Sequence, residues 1–140
     1  MDEHKIRISA KCFCFDSQGK VLLVKSNQGD FWSTPGGGVE ENESLTAAAK
    51  REVMEETGYT VKVDRFVFIQ DYQTKTYKIR NIEVFFVGKI DESIPQATEY
   101  DHEFRFFTEE EFLKLVFRPE GVNPFKLREV EGVEYGTYLR

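Results

Sequence analysis

Glu52, Glu55 and Glu56 stand at i, i+3 and i+4 just ahead of Gly58. In a helix, side chains so spaced are neighbours and share roughly 100° of the circumference. Like charges there repel. Gly58 is the residue type that ends helices in the left-handed conformation, so the acidic turn falls where the helix dipole is already negative. Such a turn is destabilising unless a cation fills it, and carboxylate oxygens are the ordinary protein ligands of Mg2+ at phosphate sites. The plain alternative is that Glu55 and Glu56 are solvated surface residues, the common fate of glutamate. The surroundings favour the first reading. Pro35-Gly36-Gly37-Gly38 lies just ahead, and consecutive glycines let backbone approach an anion or offer a carbonyl to a metal without hindrance from Cβ. Leu45, Ala48, Ala49 and Val53 form a narrow stripe of mostly small residues that lets a helix lie close against a sheet, with the acidic turn at the rim of the packed face. Arg51 can reach Glu55 at i+4.

The pattern is glycine, five residues, glutamate, seven residues, Arg-Glu-apolar, one residue, Glu-Glu, one residue, Gly-apolar. Gly37, Glu43, Arg51, Glu52, Val53, Glu55, Glu56, Gly58 and Tyr59 fill it. It resembles the signature of the Nudix hydrolases, departing only if the last position must be aliphatic. Phe31-Trp32-Ser33-Thr34-Pro35-Gly36-Gly37 extends the resemblance, because members of that family commonly set an aromatic residue and then Pro-Gly-Gly before the box. Residues after about 90 match only loosely.

At 140 residues the chain is expected to form a single domain, 1–140, around one core. A formal net charge of −6 provides no electrostatic footprint for duplex nucleic acid or an anionic membrane. It also means that a polyphosphate substrate needs a cation to offset repulsion. No run approaches the roughly 18 apolar residues of a membrane span, and Met1-Asp2-Glu3-His4-Lys5 does not begin a signal peptide, so a soluble cytoplasmic chain is expected. Cys12 and Cys14, the only cysteines, lie on one face of an apparent strand, too far apart for a comfortable disulfide, and are read as reduced. Neither His4 nor His102 has a zinc-site spacing, and His102 is expected to be a polar loop residue.

Ile6 to Phe15 alternates apolar and polar residues and predicts a half-buried strand, with Ile6, Ile8, Ala10, Cys12 and Cys14 inward. After the turn at Asp16-Ser17-Gln18-Gly19, Val21 to Val24 returns as a more buried strand and completes a hairpin. Ser26 to Asp30 is a loop leading to a Phe31-Trp32 strand fragment, and the helix spans about Ser44 to Thr57, with Asn42 or Ser44 as its cap. Tyr59 to Val63, Arg65 to Tyr72 and Ile82 to Ile90 read as strands, and Gln73 to Arg80 as a polar connection. Thr108-Glu109-Glu110-Glu111 is a capping box opening a short helix through about Phe117, stopped by Pro119 and Gly121. The tail from Asn123 to Arg140 is too apolar for a disordered extension and is expected to pack on the body or a partner. Strands before and after a helix predict an α/β fold with a mixed sheet and helices on both faces, and the resemblance implies the Nudix-type α/β/α sandwich.

The resemblance further implies the roles. Glu52 and Glu56 are expected to ligate Mg2+, or Mn2+, with Glu55 joining them or bridging by water and the Gly36 or Gly37 carbonyl completing the sphere. Arg51 is expected to orient Glu55 or Glu52, and Glu43 to stabilise the junction of loop and helix. The water-activating base is a glutamate of the box or a later one, here Glu99 or Glu103. Trp32 and Tyr77 are candidates to stack on a base, though core packing is the commoner fate of aromatics. Arg80, with Lys75 and Lys78, is a candidate for phosphate. Thr74 stands where an ADP-ribose-directed subgroup carries proline, and Tyr77 stands near a tyrosine associated with dinucleoside polyphosphates. The implied function is metal-dependent hydrolysis of a phosphoanhydride bond in a nucleoside diphosphate linked to another moiety, by a monomer or homodimer acting on a small molecule. The rivals are a nucleotide-sensing module that kept the fold without catalysis, and a globular protein with an incidental acidic helix.

Overall fold

The computed structural model describes residues 5–74 and 78–139. Its centre is strand β1 (Lys5–Phe15), which runs parallel to β6 (Ile79–Ile90) along its whole length. The other edge of β1 is shared. Its middle, Ser9 to Lys11, pairs with β4 (Gly36–Gly38) and its end with β2 (Val21–Lys25), both antiparallel. The β1–β2 hairpin is therefore present. Beyond β6 come β5 (Val61–Thr74), antiparallel, and β9 (Glu134–Leu139), parallel to β5. On the far side β2 carries β3 (Trp32–Ser33) and β7 (Phe104–Phe107), and β3 carries β8 (Phe117–Arg118). The result is one mixed, curled sheet.

Helix α1 (Leu45–Thr57) covers one face, packing Ala48, Ala49 and Val53 against Ala10, Cys12, Cys14 and Leu22. The small residues permit the close approach the sequence predicts, although Leu45 points to solvent. Ser44 caps the start by accepting from Ala47 N, an interaction typically contributing about 1 kcal/mol. Gly58 ends the helix at φ 75°, and a Cβ there would sit 2.4 Å from the Ala97 carbonyl, so both the conformation and the space require glycine. On the opposite face, α2 (Glu109–Phe112) and α3 (Pro124–Leu127) bring Phe112, Phe125 and Leu127 onto Phe13, Phe15 and Phe85. Helices thus lie on both faces.

Several expectations are corrected, while the reduced cysteines, the capping box and the packed tail are as expected. β1 is not half-buried throughout: Ile6 and Ile8 are exposed, whereas Cys12 to Phe15 are buried on both faces between the two helical layers. Cys12 and Cys14 are free and buried. β5 is continuous across the predicted gap at Asp64, which survives as a register irregularity between Val63 and Arg65. Strand pairing also reaches into the predicted polar connection, with Thr74 opposite Ile79. The capping box at Thr108 forms, but α2 stops at Phe112, because the backbone of residues 116–118 is taken up by pairing to β3. The tail packs on the body as α3 and β9. Among the described residues no helix is long and apolar enough to cross a membrane.

Candidate metal and phosphate site

The acidic turn of α1 lies against β4. Glu56, although a carboxylate, is only 5% exposed, and its Oε1 accepts the Gly36 N–H at 3.0 Å. The carboxylate of Glu52 fills the space over Gly37, where a Cβ would fall 2.6 Å from its Cδ. Any side chain at that position would displace Glu52, so the glycine at 37 is explained by close approach. Burial, reinforced by Glu52 and opposed by the Gly36 N–H and the charge of Lys11, pushes Glu56 up to about 8. Two adjacent carboxylates in a sheltered place thus lack a full cationic partner.

Arg51 organises the rest. Its Nε and Nη2 donate to Glu43 at 2.7 and 3.0 Å, Nη2 also donates to the Gly38 carbonyl at 3.0 Å, and Nη1 reaches Glu52 at 2.9 Å and Glu55 at 3.3 Å. The forked guanidinium therefore ties the loop before the helix to its acidic turn, a fuller role than the expected contact with Glu55 or Glu52. The Arg51 hydrogen bond holds the Glu43 carboxyl below its usual range, assisted by the Glu40 N–H. Glu43, through the same bond, raises Arg51 above its ordinary value against the cost of burial.

The carboxylates open onto a cavity of about 240 Å³. Lys11, Lys25, Thr34, Gly36 and His102 line it together with Glu52 and Glu56. Thr34 Oγ1 and His102 Nδ1 are buried there without a hydrogen-bond partner. Orphaned polar groups are costly, and a cavity wall carrying two of them is suited to a polar ligand. His102, expected as a polar loop residue, does lie in a loop, and the segment leading into β7 brings it to the cavity. That segment caps the end of α1, with Asp101 N donating to the Glu55 carbonyl at 3.0 Å, His102 N to the Glu56 carbonyl at 3.3 Å and Ala97 N to the Gly58 carbonyl at 2.7 Å.

The carboxylate and glycine-carbonyl oxygens are hard donors of the kind Mg2+ or Mn2+ takes, and the unmatched negative charge fits a divalent ion. Among the described residues no three acidic, imidazole or thiol groups already converge as a ligand cluster. The reason is local: Arg51 draws Glu55 toward itself and shares Glu52.

Glu52, Glu55, Glu56, Arg51, Gly36 and Gly37 are thus brought together. Others are not. Trp32 is buried, edge-on to Phe107 at 5.0 Å with Lys25 and Arg105 over its ring, so it is a core residue in this state. Arg80 pairs with Asp71 at 2.6 Å and lies five register positions from Lys11 along β1 and β6, about 16 Å away. Glu103 is exposed, and its carbonyl accepts from Lys25 N; neither it nor Glu99 lines the cavity. Tyr77 and Lys75 lie outside the described residues. Lys11 and Thr34 went unread in the sequence. The available signals were a lysine inside an apolar strand and a threonine abutting Pro35-Gly36.

A family model described as NUDIX domain matches residues 5–127. Diphosphoinositol polyphosphate phosphohydrolase 2 of Rattus norvegicus is 35% identical over 121 residues, covering 82% of this chain and 65% of that protein, so the chain spans just under two thirds of that relative. Nudix hydrolase 5 of Arabidopsis thaliana is 31% identical over 134 residues, covering 89% of this chain and 43% of its own length. The crystal structure of a NUDIX hydrolase from Nitrosomonas europaea superposes with a TM-score of 0.72 at 21% identity, over 99% of this chain and 82% of the other, and shares the fold. The match over residues 5–127 and the identity to these relatives show that the chain belongs to the Nudix family.

Proposed function

We propose that the chain is a divalent-cation-dependent hydrolase of a phosphoanhydride bond in a nucleoside diphosphate linked to another group, releasing a nucleoside monophosphate or phosphate ester. One observation carries the reading: Glu56 is buried beside a second carboxylate against a glycine pair, an arrangement that a proton relieves and a divalent cation, by displacing that proton, would satisfy more fully. The phosphohydrolase named among the relatives supports the same reaction class.

Glu52, Glu56 and the carbonyl of Gly36 or Gly37 would hold Mg2+, or Mn2+ in its stead, with Glu55 joining from the solvent side. When bound, such a cation offsets charge on the phosphate oxygens and eases deprotonation of water. The chain's own residues do the remaining work. Arg51 is a positioning residue that fixes Glu52 and Glu55 relative to the loop. Glu55, the most exposed of the three, is the group that takes the proton of the attacking water, in preference to Glu99 or Glu103, which stand outside the cavity lining. Lys11 and Lys25 line the cavity where the phosphates would lie, with Thr34 and His102 in the same wall. The same reading has the chain working in the cytoplasm as a monomer or homodimer, on a small nucleotide-type molecule rather than duplex nucleic acid, in keeping with its charge of −6.

The test is a screen of nucleoside triphosphates, dinucleoside polyphosphates, ADP-ribose and nucleotide sugars with Mg2+, read by chromatography. Turnover abolished by EDTA is expected. No turnover of any of them by folded, cation-loaded protein overturns the proposal.

A further inference from the structure

On the sheet face that carries Phe13 and Phe85, a row of polar side chains runs across the strands. Lys11 Nζ lies 3.3 Å from Glu83 Oε2, Gln70 Nε2 donates to Glu83 Oε1 at 2.8 Å, and Gln70 stands beside Gly136 on the neighbouring strand. Glu83 and Gln70 are both buried. Three strand spacings make the row about 14 Å long. At one end Lys11 opens on the cavity of Glu52 and Glu56. At the other, Gln70 opens on a second cavity of about 550 Å³, walled by Phe68, Glu120, Lys126, Leu127 and Glu134. Gly136 leaves that wall open, since a Cβ there would meet the Phe68 ring at 3.2 Å.

Lys11 and Glu83 offset one another, so the row itself is near neutral, and an anionic group that reaches the second cavity meets Glu120 and Glu134. Lys126 is the one cation among the described residues of that wall. A neutral group bearing hydroxyl or amine donors finds carboxylate and amide acceptors, and the Phe68 ring offers it an apolar surface.

We infer that the Glu83–Gln70 pair determines specificity: it admits a diphosphate whose organic half is neutral and rich in hydrogen-bond donors, such as a nucleoside. It rejects an organic half that is itself polyanionic, as in the diphosphoinositol polyphosphates named for the relatives. The inference rests on the proposed reaction at the first cavity.

Its test reads binding without turnover. Calorimetry with Mg2+ compares adenosine 5′-(α,β-methylene)diphosphate, whose bridge resists hydrolysis, with myo-inositol hexakisphosphate. Wild type should prefer the nucleotide at least about tenfold. Glu83→Gln, which keeps the bond to Gln70, should gain hexakisphosphate affinity and narrow the ratio about tenfold. Gln70→Leu should weaken the nucleotide about tenfold and leave the hexakisphosphate unchanged. Because Glu83 is buried, Glu134→Lys at the exposed rim serves as the variant safe for folding and should shift the ratio in the same direction as Glu83→Gln. Equal affinity of wild type for the two probes, or an unchanged ratio in both charge variants, overturns the inference. A protein that turns nothing over yet discriminates keeps this inference and loses the proposed reaction; an active one that does not discriminate does the reverse.

Discussion

Glu56 and Glu83 are both buried glutamates, 5% and 9% exposed, in opposite circumstances. Glu83 has its compensation built in, with the Lys11 ammonium at one oxygen and the Gln70 amide at the other. Glu56 has a single backbone N–H at 3.0 Å and faces another carboxylate. Burying charge is tolerated when partners and hydrogen bonds are supplied, so the first site belongs to the folded framework. The second holds an unmet demand, which the framework imposes on whatever enters the cavity.

The comparison breaks most readily at Glu56. Glu56→Gln should lower kcat by about two to three orders of magnitude, measured on the best substrate of the screen, while the melting temperature in EDTA holds near pH 7, where burial keeps Glu56 largely protonated, and rises relative to wild type above about pH 8, where repulsion with Glu52 is removed. A variant that instead melts early would put Glu56 in the same class as Glu83. Next in size, Mg2+ at about a hundred times its dissociation constant should stabilise the wild type by about 2.7 kcal/mol in urea titrations, and should do little for Glu56→Gln. Lys11→Met sharpens the other half of the contrast. It leaves Glu83 buried with only Gln70, at a cost of about 2 kcal/mol in chemical denaturation, less than a fully buried pair because both side chains retain some exposure. The smallest effect is expected from Gly37→Ala. Its Cβ meets the end of the flexible Glu52 side chain, so the fold should stand while calorimetry shows cation affinity falling about tenfold, or about 1.4 kcal/mol.

What was readable in the chain beforehand follows range of interaction. The span of α1, its Gly58 cap, the β1–β2 hairpin and the capping box at Thr108 depend on residues a few places apart and were legible, with Ser44 one of two candidates for the start of the helix. The short run of α2 was not, because pairing of residues 117–118 with 32–33 overrides local helical preference. The exposure of Ile6 and Ile8 was hidden for a similar reason: α1 covers only the later half of β1, which periodicity within β1 does not reveal. At the site, the box supplied Arg51, Glu52, Glu55, Glu56 and the glycines. Lys11, Thr34 and His102 arrive from three separate segments, which only the folded sheet gathers. Trp32 and Arg80 were chosen for chemical type, and packing placed one in the core and the other beside Asp71.

The clasp formed by Ala97, Asp101 and His102 on the carbonyls of Gly58, Glu55 and Glu56 has a dynamic corollary. Helix ends ordinarily fray, and surface loops exchange their amide hydrogens quickly. Stitched together, the end of α1 and this distant segment should open as one cooperative unit, so deuterium uptake at amides 97, 101 and 102 should track the helix rather than the loop that carries them. Whatever loosens the segment will then blur the aim of the carboxylates, even without touching them.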